Sequence, residues 1–146
     1  MDLYTIGFTQ STAENFFARL REHGIGRLVD VRLNNQSQLA GFAKRRDLEY
    51  FLRELCDADY EHEPLLAPTQ DILDSFKKGR GMSWEEYERR FLELMSEREV
   101  EKHLDAKDFE TPSVLLCSEA TPEHCHRRLV VEYLQQHWPS VRAVHL

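Results

Sequence analysis

The sequence predicts an α/β protein: a single three-layer domain whose mostly parallel sheet of about four to five strands carries helices on both faces. Three observations carry that prediction. Short β-branched and apolar runs alternate with stretches of helical periodicity, and the connections between them are only a few residues long. The run Val114-Leu115-Leu116-Cys117 is continuously apolar, as in a strand covered on both faces. Strand, helix and strand joined by short connections imply right-handed crossovers and therefore parallel neighbours.

Each element has its own local cause. Leu3 to Phe8 is a β-branched and aromatic run, followed by the capping box Ser11-Thr12-Ala13-Glu14. That box opens a helix with Phe16, Phe17 and Leu20 on its apolar face and Gly24 where a left-handed cap is expected. Arg27 to Arg32 is the second strand. Leu48, Phe51, Leu52 and Leu55 recur at helical spacing, and Ala58 to Leu66, with Pro64 inside it, reads as a short extended segment. From Thr69 to about Leu104 the pattern is helical, with Asp71 opening one piece and Ser83-Trp84-Glu85-Glu86 capping another. The basic loop Lys77-Lys78-Gly79-Arg80-Gly81 between them reads as a solvated tip. Thr121-Pro122-Glu123 supplies an N-cap, a proline and an acid in the right order, so a helix is expected to open at Thr121. Leu129, Val130, Tyr133, Leu134 and Trp138 form its buried stripe, Pro139 stops it, and Val141 to Val144 returns as a last strand.

Composition narrows the functional classes. A chain of 146 residues matches one domain, and 41% hydrophobic against 31% charged residues is a globular balance rather than that of a disordered chain. The net charge of −7 repels polyanions, so a nucleic-acid site would have to be a local patch. Three cysteines without an N-terminal apolar targeting segment point to free thiols in a reducing, cytoplasmic setting. No stretch approaches the ~20 apolar residues of a membrane span. Gly24-x-Gly26 ends a helix instead of opening one and no Walker-type loop is present, so no nucleotide fingerprint names a cofactor.

In parallel sheets ligands bind beyond the carboxyl ends of the strands. Those ends present Gly7 to Gln10, Asp30 and Arg32, and Cys117-Ser118-Glu119, and the last helix begins at the same edge. Cys125, His126 and Arg127 are expected in its first turns, where a thiol beside a histidine and an arginine has its thiolate favoured. Against this, Cys125 stands one turn from Leu129 and would serve equally as a small buried hydrophobe. Arg32 and Arg127 are candidates to hold a phosphate or carboxylate, the alternative being internal ion pairs with Asp30 or Glu119. Cys117, Glu119, His124, Cys125 and His126 are all potential metal ligands, but the spacing matches no familiar zinc pattern. On a regular helix Cys125 and His126 would also point about 100° apart, so a metal is disfavoured. Lys44-Arg45-Arg46 beside Phe42 and Tyr50 reads as a solvated helix start or a phosphate-backbone contact, and His62 as a structural histidine or a general acid or base.

These residues resemble the family known as domain of unknown function 488. The likeness rests on Tyr4-Thr5-Ile6-Gly7, Asp30-Val31-Arg32, Tyr60-x-His62 with Leu65 to Thr69, Trp84-x-x-Tyr87, and above all Leu115-Leu116-Cys117-x-Glu119 with Cys125-His126-Arg127. It spans nearly the whole chain and implies a small bacterial or archaeal α/β protein, with no activity attached. Family members often carry a proline after Asp-Val-Arg; here Leu33-Asn34-Asn35-Gln36-Ser37 has none.

Three functional readings follow. In the first, the chain is an enzyme acting on a small anionic or nucleotide-like substrate held by Asp30, Arg32 and Arg127, with Cys117 or Cys125 as nucleophile and Glu119 and His126 handling protons. A second makes it a nucleic-acid or protein-binding adaptor using Lys44 to Arg46 and the Lys77 to Arg80 loop. In the third, the Cys/Glu/His/Arg cluster is an internal structural staple.

Overall fold

A computed structural model describes residues 1–34, 41–77, 81–119 and 122–146. The described residues form a three-layer α/β fold around one parallel sheet. Its strands are β1 (Asp2–Gly7), β2 (Arg27–Asp30), β3 (Asp59–His62), β4 (Ser113–Cys117) and β5 (Arg142–His145), in the order β3-β2-β4-β1-β5. β4 is therefore the central strand, flanked by β1 with Gly7 opposite Cys117 and by β2 with Asp30 opposite Leu116. Its five residues are all buried, which is why that segment reads as unbroken apolar sequence.

Side chains alternate across the sheet with a period of two, and the alternation decides which chemistry goes to which face. Ile6, Leu28, Val114 and Leu116 pack with Phe16, Phe17 and Leu20 of α1 (Ala13–Glu22) and Leu48 and Leu52 of α2 (Arg45–Cys56). Val29, Val31, Leu115 and Cys117 face the other way, against Tyr87, Phe91 and Met95 of α4 (Trp84–Glu97) and Leu129, Val130 and Tyr133 of α6 (His126–His137). Fully burying each such aliphatic or aromatic side chain is worth ~1.5–3 kcal/mol. Cys117 thus shares a face with the start of α6. α3 (Gln70–Lys77) precedes α4, and the short α5 (Val100–His103) follows it.

Most expected elements stand within a few residues of their predicted places. α1 ends as predicted: Gly24 adopts φ 63°, its N–H bonds Arg21 O and the next N–H, of Ile25, bonds Leu20 O. Its start lies one residue later than the capping box suggests, because Thr12, not Ser11, accepts from the N–H of Asn15 at 3.1 Å. β2 stops at Asp30, since the Arg32 N–H turns back onto Asp30 Oδ1 at 3.1 Å. The helical stretch after Thr69 breaks again at Glu99, whose φ of 51° separates α4 from α5.

The start of α6 is the larger correction. Pro122, Glu123 and His124 lie in a separate turn closed by Cys125 N–H to Pro122 O at 3.3 Å, and Thr121 lies outside the described residues. Cys125 then opens to an extended conformation (φ −131°, ψ 137°) as the N-cap, and His126 is the first helical residue. Pro122 and Glu123 thus belong to the turn before the helix rather than to its first turn. Part of the loop after Leu33 and the basic tip at Lys78 to Arg80 also lie outside the described residues. Among the described residues, no helix is long and apolar enough to cross a membrane.

Candidate functional site

The loop from β4 to α6 is held from two sides. The Thr9 N–H and hydroxyl both donate to Ser118 O, at 3.1 and 2.7 Å. One residue on, Glu119 O accepts from Arg127 Nη1 at 2.6 Å. Arg127 is fully buried, and the strap it makes runs directly beneath Gly7. A Cβ on Gly7 would lie 1.6 Å from Glu119 O and 2.3 Å from Arg127 Nη1, so β1 must end on a residue with no side chain.

With the loop fixed there, three ligand atoms converge: Cys117 Sγ, Cys125 Sγ and a ring nitrogen of His126 all lie within 4.8 Å of one another, and all three residues are buried. Two backbone choices cause this. The pleat of β4 turns Cys117 toward α6, and the extended N-cap swings Cys125 back toward the strand. The 100° separation expected on a regular helix is removed, because only His126 is helical. His126 Nε2 sits 2.7 Å from the Val31 carbonyl, which can only accept, so Nε2 carries the proton. Nδ1 therefore presents its lone pair to Cys117 Sγ, 3.5 Å away.

The two thiols are driven apart in acidity. Burial alone raises Cys117, but the hydrogen bond from Cys125, the charge and hydrogen bond of His126 and the Arg127 guanidinium together hold it well below the usual thiol range. Cys125 is raised by burial, and further by its hydrogen bond to Cys117 and the charge there. These shifts favour a thiolate at Cys117 once His126 takes its proton, with Cys125 kept as the thiol. Tyr87 is pushed up by burial and then by Cys117, Cys125 and Glu119, so its hydroxyl stays protonated next to them.

These groups form one wall of a cleft of about 430 Å³ at the carboxyl edge of the sheet. Leu33, Leu73 and Phe76 supply apolar lining, and Arg32, Ser118, Glu119 and His124 also line it. The His124 ring stacks on Trp84 with centroids 4.9 Å apart. A cleft of this size suits a small molecule.

The remaining candidates are tied to other partners. Arg32 and Asp30 form a buried two-pronged pair: Nε to Oδ1 and Nη2 to Oδ2, each 2.8 Å. Tyr60 donates to the same carboxylate at 2.5 Å, and Arg32 Nη2 also reaches Ala43 O at 2.7 Å. Asp30 does not line the cleft, and neither does Arg127. His62 Nε2 contacts the Arg32 carbonyl at 2.9 Å and braces that turn. Lys44 is the N-cap of α2, and Arg45 lies over the Tyr60 ring, 5.8 Å from its centroid. Two members of the site escape the residue-by-residue reading. Tyr87 reads as a core position of α4, its only signal being the Trp84-x-x-Tyr87 element, and the Val31 carbonyl that orients His126 has no sequence signal at all.

Fold and site together define a parallel α/β protein with a cysteine–histidine cleft at the tip of its central strand. The family model described as domain of unknown function DUF488 matches residues 12–134, and the chain belongs to that family. No curated protein and no solved structure matches it.

Proposed function

We propose that this protein is a cysteine-dependent enzyme acting on a small molecule held in the cleft at the carboxyl edge of the sheet. The observation that carries the reading is the contact between Cys117 Sγ and the unprotonated Nδ1 of His126 on the cleft wall. A thiol beside an oriented imidazole is the arrangement that makes sulfur nucleophilic at neutral pH. In the first step Cys117 gives its proton to Nδ1, and its sulfur bonds to an electrophilic centre as the bond to a leaving group breaks. The leaving group departs with that electron pair and takes the proton from His126. Water then releases the adduct, its hydroxyl going to the substrate and its proton to the sulfur, with Glu119 on the same wall relaying that proton.

An acidic group on the substrate has one guanidinium nitrogen to meet. Arg32 Nη1 is buried without a hydrogen-bond partner among the described residues, and Arg32 lines the cleft. Asp30 acts in this reading by fixing Arg32, and Arg127 by fixing the Glu119 backbone. Residue-resolved alkylation tests the proposal: reduced, chelator-treated protein is treated with iodoacetamide at pH 7, and modification is followed at Cys56, Cys117 and Cys125 by mass spectrometry. Cys117 should react faster than free cysteine and slow down in His126→Ala. A Cys117 rate at or below that of free cysteine overturns the reading.

A further inference from the structure

The same wall has a second capacity. We infer that Cys117, Cys125 and His126 form a three-donor site for a thiophilic divalent cation of the zinc type, with its fourth position open to the cleft. Donor spacing carries the inference. Metal–sulfur bonds of ~2.3 Å and metal–nitrogen bonds of ~2.0–2.1 Å at tetrahedral angles place sulfur and nitrogen ligands roughly 3.5 Å apart. Cys117 Sγ and His126 Nδ1 are 3.5 Å apart, and no pair among the three donor atoms exceeds 4.8 Å. The donor pairs that involve Cys125 lie within 4.8 Å, up to about 1 Å beyond that spacing, so a rotamer adjustment of Cys125 is what an ion would ask for.

Two independent features fit the same conclusion. His126 already donates from Nε2 to a backbone carbonyl at 2.7 Å, the outer-shell bond that fixes a ligating imidazole and leaves the other nitrogen for the metal. Charge also balances, because two thiolates and a neutral imidazole around a divalent ion sum to zero, as a site this buried requires. Three protein donors and an open position facing a cleft make up the coordination of catalytic rather than structural zinc sites. The inference goes beyond the nucleophile reading and does not rest on it: a bound cation takes the Cys117 sulfur as a ligand, so metal-loaded and nucleophilic forms exclude one another.

Cobalt(II) titration of the reduced full-length protein is the test, read by absorption. One equivalent should produce a sulfur-to-cobalt charge-transfer band with the intense visible bands of a tetrahedral site. Cys56→Ser should leave both unchanged. Cys125→Ser and His126→Ala should weaken binding by more than the roughly 10–100-fold that loss of an outer-shell partner costs. Should those variants not fold, wild-type protein with zinc supplies the second measurement, in which Cys117 and Cys125 become protected from iodoacetamide while Cys56 does not. A weak octahedral spectrum with no charge transfer overturns the site, as does unchanged alkylation in zinc. Rapid Cys117 alkylation with no cobalt binding removes the metal site alone, whereas tight cobalt binding with slow alkylation of the metal-free protein removes the nucleophile alone.

Discussion

Two buried polar clusters stand at the tips of adjacent strands and have opposite fates. At the end of β2, Asp30 accepts from the Arg32 backbone, from two of its guanidinium nitrogens and from Tyr60, and both charged side chains are at most 3% exposed. At the end of β4, Cys117, Cys125 and His126 meet through contacts in which sulfur is a weak donor and a weak acceptor, on the wall of a cleft. A carboxylate and a guanidinium close on each other through two prongs, so among the described residues Asp30 has nothing left for a ligand and Arg32 keeps only Nη1. Thiols and an imidazole lone pair bind each other weakly, so the same degree of burial leaves them open to a proton, an electrophile or a metal ion. Burial alone therefore does not separate a structural cluster from a chemical one; the strength of the internal partners does.

The contrast can be broken most severely at Asp30. Asp30→Ala leaves the Arg32 charge buried without its partner, a situation that costs about 3–5 kcal/mol. Chemical denaturation should show a loss of that size, and a loss under 1 kcal/mol would mean that the β2 cluster is not the closed ion pair described. Gly7→Ala comes next. Its Cβ would collide with the Glu119 carbonyl and Arg127, and such overpacking costs about 1–3 kcal/mol. Because the collision falls on the strap that positions the β4–α6 loop, Cys117 alkylation should change together with stability. Unchanged alkylation in a destabilised Gly7→Ala protein would detach the strap from the thiol cluster.

The share of this organisation visible in the sequence follows the range of the interactions. The strands, the Gly24 cap and the Ser83 cap depend on neighbours within a few positions, and Ser83 Oγ does accept from the Glu86 N–H at 3.1 Å. The continuous apolar run of β4 reveals its central place, and the carboxyl-edge rule brings Cys117, Glu119 and Arg32 to one cleft. What the sequence conceals is set by long-range backbone geometry. The helix signal at Thr121 is locally sound, yet Arg127 pulling on Glu119 and the extended Cys125 start α6 at His126. That shift is what lets adjacent residues 125 and 126 face one point. The Asp30–Arg32 pairing was open as an alternative in the sequence, and the turn that ends β2 decides it, because the Arg32 N–H folds back onto Asp30 Oδ1 and brings the guanidinium to the same carboxylate.

The gentlest perturbation asks whether the two clusters are energetically separate. Tyr60→Phe removes one hydroxyl from Asp30 and should cost about 0.5–1.5 kcal/mol, the net worth of a hydrogen bond, or somewhat more because the acceptor is charged. Asp30 and Cys117 point to opposite faces of the sheet, so that loss should leave the Cys117 alkylation rate unaltered. The backbone between them nevertheless offers a route, since Asp30 Oδ1 holds the Arg32 N–H while the Val31 carbonyl holds His126. Combining Tyr60→Phe with Cys117→Ala measures that route. Stability losses adding within about 0.5 kcal/mol leave the clusters independent, whereas a larger interaction energy would make residues 30–32 a mechanical link, through which the ion pair of β2 sets the orientation of the imidazole at the thiol.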